Sequence, residues 1–374
     1  IKYEKDNNGI LTLTIDMPGQ SANTMNADFR EALQHTTQRL AEEKESLKGI
    51  IITSAKKTFF AGGDLNELIS VSPEQAEPFF KMVQELKGHM RTIETLGIPV
   101  VAAINGAALG GGWEICLACH HRIAINEKSV QVGLPEVTLG LLPGGGGIVR
   151  TVRLLGLEKS LPYLAEGKKV NAEAALKAGL IDGISADADD MMAMAKKWIN
   201  ENPKSSQPWD IKGYKIPGGT PSSPKIAQML AIAPAMLRNK TKGCYPAPEA
   251  IMSAAAEGAQ VDFDTAQAIE ARYFTELVVG QISKNMIGTF WFQLNEIKSG
   301  ASRPANIEKH TVTKVGVLGA GMMGAGIAYS AAIKGINVVL KDITLENAEK
   351  GKQYSENLLT KRIARKRMSE DKKQ

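Results

Sequence analysis

Pro99-Val100-Val101-Ala102-Ala103-Ile104-Asn105 leads within two residues into Ala107-Ala108-Leu109-Gly110-Gly111-Gly112-Trp113-Glu114. That junction decides how the first half of the chain folds. Val100 to Ile104 is an unbroken apolar run, as a parallel strand buried on both faces requires. The run Ile115 to Ala118 that follows is apolar and compatible with a helix. Between strand and helix, three glycines let the backbone turn sharply and leave room for something to approach it. At a helix start the free N–H groups point outward and attract developing negative charge. Glu114 falls in that first turn. By itself the segment fits a helix–sheet packing turn with a charge at the positive helix end equally well.

Working outward, Ile10 to Ile15 alternates as a strand, Asn26 to Glu43 has the spacing of an amphipathic helix, and Gly49 to Thr53 contains Ile50-Ile51-Ile52. Strands separated by helices imply βαβ units and a mostly parallel sheet, an α/β fold. A second cluster, Phe59-Phe60-Ala61-Gly62-Gly63-Asp64-Leu65, follows the Gly49–Thr53 run and again puts small residues before an acid, a pattern also common in ordinary turns. A third is Gly133-Leu134-Pro135-Glu136, followed by Leu139 to Pro143 and then Gly144-Gly145-Gly146-Gly147. Glu136 follows a proline among apolar residues. If buried, its carboxyl has a raised pKa and exchanges protons near neutrality; otherwise it is a surface acid in a turn.

The 374 residues point to two or three domains. With 43% hydrophobic and 23% charged residues the balance is globular, which excludes disorder as the dominant state. A net charge of +5, with no basic stripe interleaved with aromatics, argues against nucleic-acid binding. Three cysteines make no disulfide scaffold and fit a reducing compartment. No apolar run reaches the roughly 20 residues needed to span a bilayer. Ile1-Lys2-Tyr3-Glu4 lacks the shape of a signal peptide, so a cytoplasmic location or, in a eukaryote, an organelle matrix is expected. From about Ala188 the texture changes: a helical run at Met191 to Asn200, a Pro-, Gly-, Ser- and Lys-rich stretch at Asn202 to Ser223 expected to be an exposed loop or linker, then helical patterns from Pro224 to Ser299. The charged tail Lys361 to Gln374 is expected to be a solvated helix or a frayed end.

Taken together and in this order, Phe60-Ala61-Gly62-Gly63-Asp64, Asn105-Gly106 to Glu114, Gly133-Leu134-Pro135-Glu136 and Pro143 to Gly147 resemble the crotonase (enoyl-CoA hydratase/isomerase) superfamily over roughly residues 1 to 190. The resemblance implies a ββα spiral domain and a thioester enolate mechanism. It assigns the Gly63 and Gly111 backbone N–H groups to the acyl-CoA carbonyl oxygen, where one preorganised donor is typically worth about 3–4 kcal/mol of barrier. It assigns Glu114 and Glu136 to the water: one takes its proton and one delivers a proton to the α-carbon. Ala61, Asp64, Leu65 and Asn66 line the CoA side. Asn66 stands where such hydratases often carry lysine, a departure that bears on a direct charge contact to the CoA phosphates. Trp113 is bulkier than the small residue expected before Glu114 and would narrow the acyl pocket. The implied reaction is hydration of 2-trans-enoyl-CoA to 3-hydroxyacyl-CoA in fatty-acid β-oxidation, with no cofactor; the alternatives are a Δ3-Δ2 enoyl-CoA isomerase and a thiolase-docking assembly module.

Cys116-Leu117-Ala118-Cys119-His120 matches the c-type haem attachment pattern and contains a redox spacing. Within the resemblance it is a packed helix with buried thiols leading to a strand at Arg122–Ile125. His35, His89, His120, His121 and His310 show no metal-ligand spacing, so no metal is expected; adjacent His120 and His121 face solvent or strand neighbours.

Near the other end, Lys314 to Leu318 has the pattern of a strand, and Gly319-Ala320-Gly321-Met322-Met323-Gly324 is a G-x-G-x-x-G. A helical run, Ala325 to Lys334, and a second strand, Asn337 to Leu340, lead to Asp342, 18 residues after Gly324. This strand–turn–helix–strand–acid order is the dinucleotide-binding pattern: Gly319, Gly321, Met323 and Gly324 at the pyrophosphate and Asp342 at the ribose hydroxyls, favouring NAD over NADP. Gly321 to Ala328 resembles the start of the 3-hydroxyacyl-CoA dehydrogenases. A hydratase followed by that dehydrogenase resembles the multifunctional fatty-acid oxidation enzymes, the α subunits of trifunctional complexes. Only 32 residues follow Asp342 and none is a histidine, so a fragment of a longer polypeptide is expected, one that hydrates enoyl-CoA but does not oxidise hydroxyacyl-CoA. The expected organisation is a crotonase core over 1–190, a helical extension and linker over 191–310, and an incomplete Rossmann βαβ unit over 311–374. NAD would serve the full-length protein; an acyl-CoA substrate, a thiolase β subunit, and assembly as an oligomer complete the expectations.

Overall fold

The computed structural model describes residues 1–304, 306–308, 310–365 and 368–372. The chain divides into two units, Ile1–Ser299 and Gly300–Gln374.

The first unit holds nine strands: β1 Lys2–Lys5, β2 Ile10–Ile15, β3 Gly49–Ser54, β4 Val100–Ile104, β5 Ala108–Leu109, β6 His121–Ile125, β7 Gln131–Gly133, β8 Val170–Asn171 and β9 Gly183–Ser185. The main sheet has the order β1-β2-β3-β4-β6-β9. β1 pairs antiparallel with β2 and every later pairing is parallel. The register sets Ile50 opposite Val100 and Ile52 opposite Ala102, so the two apolar runs stack side by side. All five residues of β4 are inaccessible to solvent, as a central parallel strand covered on both faces must be. A smaller sheet has the order β5-β7-β8, with β5 parallel and β8 antiparallel to β7. This is the α/β crotonase-like spiral that the motif order implies.

The helix Ala27–Glu43 starts where the Asn26 side chain accepts the Phe29 N–H. Helix Ala76–Glu94 presents Phe79, Val83, Leu86, Met90 and Ile93 to the interior, the spacing of an amphipathic face. Helices Pro224–Thr241, Pro246–Gly258, Phe263–Val279 and Gln281–Ile287 contribute Ile226, Ala247, Ile251, Ala271, Leu277 and Ile287 to the same hydrophobic core as the sheet.

The stretch 202–223 is largely irregular, but it is not merely an exposed linker. Gln207 is buried, and its Nε2 donates to the carbonyls of Leu117, Ala118 and Cys119. The last carbonyls of a helix lack intrahelical partners; Gln207 straps the segment onto the buried end of helix Gly111–Ala118 and satisfies them.

In the second unit, β10 Lys314–Leu318 and β11 Asn337–Lys341 pair in parallel, Lys314 opposite Asn337. Helix Met322–Ala332 connects them and helix Leu345–Ala364 follows. This is one βαβ unit, the incomplete Rossmann element. The tail ends its helix at Ala364; Lys366, Arg367, Lys373 and Gln374 lie outside the described residues.

Candidate active site

Asn23 starts the construction. It is buried, and its Nδ2 donates to the Ile15 carbonyl at the end of β2, to Ser54 Oγ at the end of β3 and to the Phe59 carbonyl. Its own carbonyl accepts the Ala61 N–H. The Phe59–Gly63 segment is thereby fixed against the C-terminal ends of two strands, where open α/β sheets form their binding crevices. Phe60 then runs beside the start of the second glycine cluster: its N–H donates to Ala107 and its carbonyl accepts from Leu109. Gly112 allows this approach, because a Cβ there would lie 2.5 Å from the Phe60 Cβ. The pairing brings the Gly62–Gly63 turn against Gly110–Gly111; a Cβ on Gly62 would lie 4.0 Å from the Gly111 nitrogen. Among the described residues, neither the Gly63 nor the Gly111 N–H donates to a turn, loop or cap acceptor.

The Gly110 N–H donates to the carbonyl of Gly133, which carries the Pro135–Leu139 turn and Glu136 to the same place. Gly110 has φ +55°, and a Cβ there would stand 2.9 Å from Glu136 Oε1. From the other side, the Gly144–Gly147 loop wraps Glu114. The Gly145 and Gly147 N–H groups donate to Glu114 Oε1 at 2.7 and 2.8 Å.

Glu114, Glu136, Gly63 and Gly111 all line one cavity of about 770 Å³. Its walls include Phe79, Met82, Val83 and Phe274, and its rim includes Lys169. Ala61, Asp64, Leu65 and Asn66 line it too. Asp64 caps helix Leu65–Ser70, its Oδ1 accepting the Asn66 N–H at 2.9 Å and the Asn66 Nδ2 at 3.2 Å.

Burial raises the Glu114 carboxyl to about 7, helped by the charge of Glu270; the Gly147 and Gly145 amides and the Lys87 ammonium oppose the rise. Burial, and then the charge of Glu114, pushes Glu136 well above the ordinary carboxylate range. Glu136 Oε2 is buried with no partner among the described residues. One acid is thus held by two backbone donors from a neighbouring loop that favour its ionised form, and the other has only its own backbone amide to do so. Such a pair can accept a proton at one place and deliver one at another.

Trp113 does not narrow the pocket. It is 1% exposed, packed in the core, and absent from the cavity wall. Adjacent helix positions point about 100° apart, so a helix that turns Glu114 into the cavity turns Trp113 into the core. Of the two surroundings expected for the adjacent histidines, His120 takes the strand neighbour: its Nδ1 accepts the Val100 N–H at the start of β4 and its Nε2 pairs with the Glu94 carbonyl, while the half-buried His121 ring stacks on Trp198 at 4.5 Å. Cys116 and Cys119 are buried free thiols, both raised by desolvation, Cys119 to about 12.

Sequence reasoning missed a buried charged layer behind the glycine loop. Lys87 Nζ lies 2.8 Å from Glu270 Oε1, and Arg150 lies 2.9 Å from Glu94. All four side chains are almost inaccessible to solvent. The signal was present: Lys87 and Glu94 interrupt the apolar stripe of helix Ala76–Glu94, where an unpaired charge is not tolerated.

In the second unit, Gly319 has φ +91°, and a Cβ on Gly324 would come within 1.7 Å of the Gly319 carbonyl oxygen, so both positions require glycine. Gly321 caps the helix that starts at Met322, while Met323 is exposed. Asp342 stands just past β11 and accepts the N–H groups of Ala320 and Ile343 at 2.6 and 2.7 Å. Those amides hold its carboxyl below the usual range. The turn, the free helix start and the ionised acid fit the pyrophosphate and ribose end of a dinucleotide.

Two family models match the chain: enoyl-CoA hydratase/isomerase over residues 5–209, and the NAD-binding domain of 3-hydroxyacyl-CoA dehydrogenase over 314–374. Curated relatives include fatty acid oxidation complex subunit alpha of Shewanella loihica, 38% identical across 97% of this chain and 51% of the relative. The same subunit of Idiomarina loihiensis is 35% identical across 98% of this chain and 51% of the relative. The chain spans about half the length of these relatives. Among solved structures, an enoyl-CoA hydratase from Bacillus halodurans superposes with a TM-score of 0.53 at 21% identity, covering 77% of this chain and 98% of that one, a likeness of fold. Glycine turns, paired glutamates and family match agree: the chain belongs to the enoyl-CoA hydratase/isomerase family and carries the start of a 3-hydroxyacyl-CoA dehydrogenase NAD-binding domain.

Proposed function

We propose that the first unit hydrates 2-trans-enoyl-CoA to 3-hydroxyacyl-CoA. The observation that carries this is the convergence of Glu114 and Glu136 on one cavity that also holds the Gly63 and Gly111 amides. The thioester carbonyl oxygen would sit between those two N–H groups, which cannot swing away or lose a proton. They stabilise the negative charge that develops there as water adds. Glu114, raised to about 7 by burial against the pull of two amides on Oε1, takes a proton from water as its oxygen bonds to the β-carbon. Glu136, pushed toward its protonated form by burial, delivers a proton to the α-carbon. The two protons balance the addition, and exchange between the carboxyls and solvent resets the pair.

The isomerase reading uses the same carboxyls to carry a proton from one carbon to another. Two separately placed acids, both raised by burial but only Glu114 braced by the Gly145 and Gly147 amides, favour hydration. Assaying crotonyl-CoA beside a 3-enoyl-CoA decides between them: hydration faster than double-bond migration is expected, and the reverse would make isomerisation the main activity.

For the whole protein, the names of the relatives support β-oxidation and a partner within a fatty acid oxidation complex. The alternative from another class is a non-catalytic assembly module that docks a thiolase subunit on the helices 224–299; the presence of both glutamates disfavours a purely structural role, so a thiolase subunit and an oligomeric assembly are proposed as partners of an active hydratase. Co-elution with a candidate thiolase on size exclusion checks it. The second unit would hold the pyrophosphate and ribose of NAD with Gly319, Gly321, Met323, Gly324 and Asp342; bound there, NAD would accept a hydride in the full-length enzyme. Two buried free thiols fit a reducing cytoplasm or organelle matrix.

A further inference from the structure

The amides of the Gly144–Gly147 loop point alternately to two acids. Gly145 and Gly147 donate to Glu114 Oε1. Gly146, between them, donates to Glu270 Oε1 at 2.7 Å, and Val149 donates to Glu270 Oε2 at 3.0 Å. Gly146 has φ +103°, which turns successive amides to opposite sides. Glu270 is held from behind by Lys87 Nζ, which also donates to the Gln267 carbonyl at 2.7 Å. A second brace, Arg150, pairs with Glu94 and reaches the Gly145 carbonyl.

A buried ion pair is a poor device for stability, since apolar residues of similar volume often serve as well. This one is placed to do something else. We propose that Lys87 and Glu270 are positioning residues for the hydration reaction: they clamp the Gly144–Gly147 loop in the arrangement that delivers two amides to Glu114 Oε1. Glu114 Oε2 accepts no described hydrogen bond and is left for the water. The inference rests on the proposed role of Glu114. The charged groups facing Glu114 are Glu136 from the Pro135–Leu139 turn, Glu270 from helix Phe263–Val279 and Lys87 from helix Ala76–Glu94. Arg150, from helix Gly147–Leu155, faces Lys87.

The test uses the full chain with crotonyl-CoA and four variants: Lys87→Met, Glu270→Gln, the double Lys87→Met/Glu270→Gln, and Lys81→Met as a control on the exposed face of the same helix. Each single variant is expected to lower kcat at least about tenfold with KM changed less than about twofold, the signature of a group that acts on the transition state. The acid limb of the kcat–pH profile should move up in Lys87→Met, where Glu270 loses its counter-charge, and down in Glu270→Gln, where Lys87 loses its own. A merely structural role would not move the limb in opposite directions. The double variant leaves no unpaired buried charge, so it answers if a single variant does not fold; kcat should still be about tenfold low at unchanged KM. Lys81→Met should match the parent. Parental kcat in the double variant, or limbs that stay in place in both singles, would overturn the inference. If Glu114→Gln also hydrates at the parental rate, the failure belongs to the role of Glu114 rather than to the clamp.

Discussion

Two glycine turns, one in each unit, start from the same local design and end in opposite electrostatic surroundings. In the first, Gly110–Gly112 opens a helix whose own Glu114 is buried at the wall of a cavity, and burial raises its carboxyl to about 7. In the second, Gly319–Gly324 opens a helix near the surface, and the acid comes from the far end of the next strand. There Asp342 accepts two amides and stays below the usual range. Desolvation turns a carboxyl into a proton exchanger, whereas amide donation at the surface turns one into a fixed anion suited to hydroxyl groups. A strand, a glycine turn and a helix do not by themselves choose between chemistry and binding. The burial of the acid chooses.

The comparison breaks most visibly at the buried acids. Glu136→Gln removes the proton donor and should lower kcat for crotonyl-CoA hydration about 10³-fold, read by loss of enoyl absorbance; a loss below tenfold would remove Glu136 from the mechanism.

Burial of Glu114 also has a stability consequence with a definite sign. Its folded-state pKa is raised from 4.5 to about 7, so the native state binds the proton more tightly than the unfolded chain. The associated stability is present below about pH 4.5 and is lost as pH rises through about 7, by roughly 3 kcal/mol at most. Glu114→Gln keeps an acceptor for the two amides without the buried charge. It should melt above the parent at pH 8, with the gap closing by pH 5. A gap independent of pH would mean the carboxyl is solvated. The parent's hydration rate should fall on the acid side of about pH 7, as the base becomes protonated.

Gly145→Ala sharpens the same point. A Cβ there would lie 2.7 Å from Glu114 Oε2, displacing the carboxyl, and kcat should fall about tenfold with little change in melting temperature. At the other turn, Gly324→Ala meets the Gly319 carbonyl at 1.7 Å. It should raise hydrogen exchange in Lys314–Lys341 while leaving hydration at the parental rate.

Much of this was legible in the sequence for physical reasons. The unbroken run Val100–Ile104 could only be a strand covered on both faces, and the glycines flanking Gly63 and Gly111 marked turns with free amides. Position within the helix was less legible. Trp113 and Glu114 are neighbours in sequence but face core and cavity, and only the packing of Gly112 on Phe60 decides which faces which. The Lys87–Glu270 pair joins residues 183 positions apart, so no local motif announces it, although a charge inside an apolar stripe was a warning. Gln207 was hidden by the loop-like composition of its neighbours, which says nothing about one amide reaching a helix end.

The most direct measurement is a double-variant cycle on hydration, comparing Glu114→Gln, Glu136→Gln and the two combined under single-turnover conditions. If both carboxyls serve one water, the combined loss should be close to the larger single loss, because residues that act as a unit are strongly non-additive. Losses that multiply would show two independent contributions and contradict a shared reacting water.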